Sequence, residues 1–182
     1  TQPGADDPRV KEGFAAYQRS EFKKAYDIWL PLAEAGNAEA QFRVGRLYSF
    51  GDGLHLDPLK AIRWYNRALK NGHLMAAFNV GVHFGEFSSA HYDLKRSVES
   101  FLIGANAGDV DAQRALAFAH IVTHIRNQDF AEAYKWFFVA QKNGDPRSNQ
   151  EILDLDKFAT KAERLEGEQR MREWFKTHSR SQ

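Results

Sequence analysis

The sequence predicts an all-α protein, a right-handed α/α superhelix or solenoid of antiparallel helix pairs. One observation is a constant spacing of 36 residues between the glycines that follow long apolar-periodic segments, Gly36, Gly72, Gly108 and Gly144. Another is that apolar residues recur at steps of three and four, which is typical of helices, and not at steps of two. A single helix pair cannot bury its apolar face, so we expect successive pairs to stack.

Side-chain size keeps the same register. One column is aromatic: Trp29, Tyr65, Phe101 and Phe137. Three columns are small: Ala25, Ala61, Ser97 and Ala133; Ala40, Ala76, Ala112 and Ser148; and Gly45, Gly81 and Ala117. Small residues let two helix backbones approach closely and aromatic rings fill the remaining space, so these columns predict the packing contacts of the array.

End signals place the helices of the second unit. A first helix is predicted from about Asn37 to Phe50. A second helix is expected to begin near Asp57, whose carboxylate can cap free backbone amides, with Pro58 at the first helical position. Gly72 ends it, because glycine readily takes the left-handed conformation.

The pattern divides the chain into three parts. Residues 1–8 are polar and rich in turn-forming residues, and we expect a flexible segment there. Residues 9–146 hold about four helix pairs. Because the register decays after Pro146, residues 147–182 are expected to form capping helices, with a break at Leu165–Gly167 between a closing helix and a last one.

Composition and charge exclude several classes of function. Twenty-five basic and 24 acidic residues give a net charge of +1, so no broad field attracts nucleic acid. No apolar run approaches the roughly 18 residues that cross a bilayer, so membrane insertion is not expected. The chain has no cysteine. Its start at Thr1 favours an exported protein after signal-peptide removal, while a trimmed or cytoplasmic chain stays an alternative.

Three short motifs suggest chemistry, and each has a simpler structural interpretation. His120 and His124 are spaced to share a zinc ion on one helix, but no third ligand is evident and a structural role is favoured. Ser20 and Lys23 match the Ser-x-x-Lys pattern of penicillin-recognising enzymes without its companion elements, so a turn is favoured. Gly51-Asp52-Gly53 lacks the rest of a phosphate loop and is also interpreted as a turn.

The second unit resembles the Sel1-like repeat family, a relative of the tetratricopeptide repeats. The resemblance lies in the run from Ala38 to Tyr48, in Gly51-Asp52-Gly53-Leu54, in the run from Lys60 to Ala68, and in Gly72. It extends over roughly Val10 to Pro146.

Two loops of the array depart from the family pattern. Phe87-Ser88-Ser89 and Ile125-Arg126 replace the glycine pair, so the third and fourth loops should differ in shape.

The resemblance implies a non-catalytic bacterial scaffold, commonly periplasmic, that binds another protein or a peptide on its concave face and needs no cofactor. The tetratricopeptide layout assigns that face to first-helix residues: Phe14, Tyr17, Phe42, Arg46, Phe50, Met75, Phe78, Val82, Arg114 and Phe118. The apolar members suit a peptide or helix, and Arg46 or Arg114 can pair with a carboxylate. Alternatively, the chain's own terminal helices fill this groove.

Two other functions stay open at this point. One is a hydrolase acting on cell-wall or β-lactam substrates. The other is a self-associating structural subunit, a homo-oligomer.

Overall fold

The computed structural model describes residues 7–86, 91–122 and 129–178. Within these ranges the chain forms helices and no strand, which confirms the all-α prediction. The helices are α1 (Pro8–Gln18), α2 (Phe22–Glu34), α3 (Ala38–Phe50), α4 (Pro58–Lys70), α5 (Ala76–Gly85), α6 (Leu94–Asn106), α7 (Val110–Val122), α8 (Phe130–Lys142), α9 (Ser148–Leu155) and α10 (Lys161–His178). The expected flexible segment and the two atypical loops lie mostly outside the described residues.

The helices fall into two compact units, Thr1–Tyr92 (unit 1) and Asp93–Gln182 (unit 2). In unit 1, each of the helices α1 to α4 packs on the helix that follows it, so the series ends with α4 on α5. In unit 2, α6 packs on α7 and α7 on α8, while α8 also contacts both α9 and α10.

The 36-residue spacing corresponds to a repeated backbone geometry. Gly36, Gly72, Gly108 and Gly144 have φ angles of 98°, 93°, 89° and 95°, all in the left-handed region. A Cβ atom at Gly36, Gly108 or Gly144 would meet no other atom within 4 Å. Glycine is therefore required there by the backbone conformation at the helix end and not by lack of space.

The size columns are packing positions, as predicted. The aromatic column is buried, from 1% exposed at Trp29 and Phe137 to 7% at Phe101. A Cβ atom at Gly45 would lie 2.9 Å from the Tyr65 ring. Because glycine has no side chain, the backbone of α3 can lie directly against this ring of α4.

Aspartates cap three second helices. The Asp57, Asp93 and Asp129 carboxylates accept hydrogen bonds from the backbone amides of Lys60 (2.9 Å), Arg96 (3.1 Å) and Glu132 (2.9 Å). Each bond satisfies an amide that has no partner within its helix.

A buried glutamine that bonds an exposed asparagine, a pair which the sequence patterns did not reveal, fastens each unit. In unit 1, Gln41 donates to the Ala33 carbonyl at 2.9 Å and accepts from Asn71 at 2.9 Å. In unit 2, Gln113 donates to the Ala105 carbonyl at 3.0 Å and accepts from Asn143 at 3.1 Å. All three positions recur after 72 residues, so a two-repeat period is superimposed on the 36-residue one.

The expected break at Leu165–Gly167 is wrong. The chain breaks earlier, between Leu155 and Lys161, and α10 passes through residues 165–167 without interruption. Gly167 is buried instead, and a Cβ atom there would lie 2.8 Å from the Ala131 carbonyl oxygen and also against the Tyr134 side chain. This glycine lets α10 approach the backbone of α8 closely.

The small-residue column continues into α9, as the place of Ser148 in that column predicts. Ser148, in the first turn of α9, is fully buried like Ala40, Ala76 and Ala112 in the same column. Helix α9 therefore holds the position of a first helix, and the repeat pattern is lost only after it.

Candidate functional site

The structure places the predicted first-helix residues of unit 1 on the three helices expected or beside them. Phe14, Phe50, Met75 and Val82 are exposed, while Tyr17, Phe42, Arg46 and Phe78 are half-buried. Met75 directly precedes α5. Their use in binding stays a prediction.

Two arginines of α3 lie over aromatic rings. The guanidinium carbon of Arg43 is 4.8 Å from the centre of the Phe14 ring. That of Arg46 is 6.0 Å from the Tyr17 ring and 5.6 Å from the Phe50 ring. These are cation–π distances, so the rings orient both side chains.

Tyr17 is held in place by its neighbours. Its hydroxyl donates to Asp52 at 2.7 Å, and this hydrogen bond raises the pKa of Tyr17. Its ring packs against Phe22 at 5.2 Å and Trp29 at 6.1 Å. These contacts fix the orientation of the Tyr17 ring beside Arg46.

Phe42 packs inside unit 1 more than toward solvent. Its ring stacks on His73 at 4.3 Å and lies 5.7 Å from Tyr65. His73 shares a 2.9 Å hydrogen bond with Glu39, which in turn pairs with Arg43 at 2.6 Å. The hydrogen bond from His73 is the main reason that the pKa of Glu39 falls to about 2.

Arg114, the second predicted carboxylate-binding residue, already has internal partners. Its Nε lies 3.0 and 3.1 Å from the two Glu151 oxygens and 3.1 Å from an Asp145 oxygen. The hydrogen bond to Glu151 raises the pKa of Arg114. This arginine joins α7 to α9 and is a poor candidate for pairing with a ligand.

A groove in unit 2 lies between the first helices α7 and α9, with α8 as its floor. Its volume is about 560 Å³. The lining is mostly aromatic and aliphatic, with two carboxylates: Phe118, Ile121, Phe130, Phe137, Leu155, Phe158, Glu151 and Asp154. We call this surface the unit-2 groove.

The corresponding groove in unit 1 lies between α3 and α5, over α4. Its volume is about 260 Å³. Its lining is more polar: Ser49, Phe50, Pro58, Ala61, Ile62, Tyr65, Asn79, Val82, His83 and Glu86. We call this surface the unit-1 groove.

The two grooves are equivalent in sequence register. Seven of the eight residues that line the unit-2 groove follow a lining residue of the unit-1 groove by 72 residues. Thus Phe137 corresponds to Tyr65, Leu155 to His83 and Phe158 to Glu86. Four polar positions of the first groove are thus apolar in the second, since Ser49 also corresponds to Ile121, and the second cavity is larger; in the other direction, Val82 corresponds to Asp154.

Of the predicted binding residues, the two grooves include only Phe50, Val82 and Phe118. Sequence reasoning missed Ile121, Phe130, Leu155 and Phe158, and it assigned Phe137 to packing alone. The signal that identifies them is the same register, extended beyond Pro146 into α9.

The motifs with possible chemistry gain no support from their geometry. Ser20 lies in the turn between α1 and α2 with a φ of 61°, and the Lys23 amine pairs with Asp27. His124 lies outside the described residues, and the described ranges contain no cluster of three potential metal ligands. In the same ranges no helix is both long and apolar enough to span a membrane.

Comparisons with known proteins agree with this architecture. Residues 38–73 and 125–145 match the Sel1 repeat model. The chain is 39% identical over 56 residues to an exopolysaccharide production negative regulator of Rhizobium meliloti (strain 1021), covering 30% of this chain and 21% of that protein. It is 29% identical over 87 residues to YibG of Escherichia coli (strain K12), covering 46% of this chain and 55% of that protein.

Two crystal structures share the fold. The Sel1 repeat protein from Oxalobacter formigenes aligns with a TM-score of 0.71 and 22% identity, over 79% of this chain and 59% of its own. A protective antigen present in uropathogenic Escherichia coli strains, which displays an SLR fold, aligns with a TM-score of 0.57 and 20% identity, over 98% of this chain and 47% of its own. The chain thus spans between 21% and 59% of the length of these four proteins.

Helix pairs that recur every 36 residues, with grooves between neighbouring first helices, define a helix-pair repeat protein. Within that class the chain is similar to Sel1-like repeat proteins of bacteria, in its match to the Sel1 repeat model and in its fold, as its residues predicted. Proteins built from Sel1 repeats are typically interaction scaffolds and generally non-catalytic.

Proposed function

We propose that the chain is a scaffold that binds a segment of another protein in the unit-2 groove. The observation that carries the proposal is a cavity of about 560 Å³ lined by six apolar side chains. Phe118 is 42% exposed and Phe158 is 77% exposed at its edge. Large apolar side chains that face water around a concave surface mark interaction sites in soluble proteins.

The chemistry of the groove selects the ligand by its apolar side chains. Both carboxylates at the rim already have partners, since Glu151 pairs with Arg114 and Asp154 with Lys157 at 2.6 Å. No strong unbalanced charge is therefore offered to a ligand here. An aromatic or branched aliphatic side chain, inserted between Phe118 and Phe158 above Phe137, would remove apolar surface from water on both partners.

The test uses short peptides selected from a random display library against the intact chain and then measured by fluorescence polarisation. Phe118→Asp should weaken their binding by roughly ten-fold or more, since a charge would be forced into an apolar contact. The matched control is Leu102→Asp, on α6 of the same unit, because Leu102 is also 42% exposed but does not line the groove. Equal binding by the two variants, with circular dichroism unchanged in both, would contradict the proposal.

Self-association and export are separate proposals with their own tests. If the groove receives a second copy of the chain, light scattering will give a mass above the 20.8 kDa of one chain, and Phe118→Asp will return it to that value. Periplasmic or secreted localisation stays a prediction, which cell fractionation of the native bacterium tests.

A further inference from the structure

We propose that unit 1 has a ligand contact of its own, in which Arg46 binds the side-chain carboxylate of an acidic residue in a peptide held against unit 1. The inference rests on the proposed function, because it names which residue of a peptide ligand is recognised. It concerns the face formed by α1 and α3, not the unit-2 groove.

The Arg46 side chain is positioned for such a contact before any ligand arrives. It lies between the rings of Tyr17 and Phe50, at 6.0 and 5.6 Å, and is only partly exposed. Tyr17 is itself fixed by its hydrogen bond to Asp52 and by the neighbouring Phe22 and Trp29 rings. An arginine oriented in this way loses little side-chain freedom when it binds.

The charge of Arg46 is not neutralised within the part of the chain that the structure describes. No ion pair of its guanidinium with a carboxylate within 4 Å is found there, and the Asp52 carboxylate accepts a hydrogen bond from the Tyr17 hydroxyl. The adjacent Arg43 is different, since it pairs with Glu39 at 2.6 Å. A planar guanidinium with free N–H groups matches a carboxylate, which can accept two of them together.

The surroundings of Arg46 specify an apolar residue next to the acidic one. Phe50 is 62% exposed and Phe14 is 37% exposed on the same face. An incoming carboxylate would be partly shielded from water by these rings, which strengthens its attraction to Arg46. In unit 2 the equivalent position, 72 residues later, is the uncharged Phe118, so the two units should select different side chains.

The experiment uses peptides selected against the intact chain, each synthesised with its acidic residue and with glutamine or asparagine in its place. All are amidated at the C-terminus, so that only side-chain carboxylates are compared. Wild-type protein should prefer the acidic form by roughly ten-fold, and Arg46→Gln should reduce that preference to about two-fold or less. Arg46→Lys should retain part of it, since the charge remains while the planar geometry is lost.

Arg67→Gln is the matched control. Arg67 also lies over an aromatic ring, 4.3 Å from the centre of Trp64, but it is on the second helix α4. This variant removes the same charge and should leave the preference for the acidic peptide unchanged.

Three results would overturn the proposal: no acidic residue among the selected peptides, an unchanged preference in Arg46→Gln, or an equal loss in Arg67→Gln. If Phe118→Asp still weakens binding in such a case, the proposed function stands without this contact. If Phe118→Asp binds as well as wild type, the proposed function itself is wrong.

Discussion

The two grooves occupy equivalent positions in the repeat, yet they differ in what they offer a ligand. In unit 1 the floor residue is Tyr65 and the rim includes Glu86; in unit 2 these positions are Phe137 and Phe158. The backbone framework is repeated, since the Gln41–Asn71 pair joins α3 to the end of α4 and the Gln113–Asn143 pair joins α7 to the end of α8 in the same way. One set of repeat positions therefore holds the helices together, and a different set determines which ligand side chains each groove can accept.

The largest difference between the units is the last helix. Helix α10 packs on α8 through Gly167, and no helix of unit 1 makes a corresponding contact with α4 among the described residues. Gly167→Ala should lower the free energy of unfolding by about 3 kcal/mol, because the added Cβ would collide with the Ala131 carbonyl and Tyr134. Urea unfolding followed by circular dichroism measures this.

Gly36→Ala provides the comparison in unit 1. A Cβ there meets nothing within 4 Å, and only the φ of 98° opposes it. We expect a loss of about 1 kcal/mol from the left-handed backbone alone. If both substitutions cost the same, α10 does not depend on close backbone approach.

The buried glutamines should behave alike in the two units. Gln41→Leu or Gln113→Leu removes a buried amide that bonds both a backbone carbonyl and an asparagine, so both of these hydrogen bonds are lost. Each should cost about 2 kcal/mol in the free energy of unfolding. Hydrogen exchange read by mass spectrometry will report the loss within the substituted unit.

Gln141→Leu is the control for this pair, since Gln141 is exposed and its side chain donates to the exposed Asn149. It should change stability by no more than about 0.5 kcal/mol. Unequal costs at Gln41 and Gln113 would show that the 72-residue equivalence does not extend to energetics.

The sequence predicted the repeat, its helix-end glycines and its aromatic column, because these depend on local backbone conformation and side-chain size. It did not predict the role of Gly167, since a glycine that breaks a helix and one that permits close packing look identical until the partner helix is known. The pairing of Arg114 with Glu151 also depends on the approach of α7 and α9 and on rotamer choice. Such long-range polar partners decide which predicted binding residue is available, and the sequence spacing alone does not reveal them.

Low pH should distinguish the units through Glu39. Its folded-state pKa of about 2 lies below its ordinary value of 4.5, chiefly because of the His73 hydrogen bond, so this interaction stabilises unit 1 fully only above about pH 4.5 and is lost as the pH falls through 2. In unit 2 the equivalent positions are Asp111 and Asp145, with Arg147 as a shared partner. Glu39→Gln should remove roughly 1–2 kcal/mol at neutral pH and little near pH 2.

Urea titrations of the wild type and Glu39→Gln at several pH values give this dependence. Asp27→Asn is a suitable control, because Asp27 is exposed and pairs with the exposed Lys23 on the surface of α2. A constant difference between wild type and Glu39→Gln from neutral pH to pH 2 would show that the Glu39–His73 pair does not account for the pH effect.

The smallest expected effect is that of Tyr65→Phe, which gives the floor of the unit-1 groove the aromatic residue found in the unit-2 groove. The Tyr65 hydroxyl is buried without a hydrogen bond of good geometry among the described residues, although Ser49 is close enough to moderate the rise in pKa that burial causes. Tyr65→Phe gives unit 1 the residue that unit 2 carries at Phe137, and it removes a polar atom that gains little from its surroundings. We expect the free energy of unfolding to stay within about 0.5 kcal/mol of wild type or to rise slightly. A loss of about 1 kcal/mol or more in urea unfolding would mean that this hydroxyl has a partner in solution and that the polar character of the unit-1 groove is part of its stability.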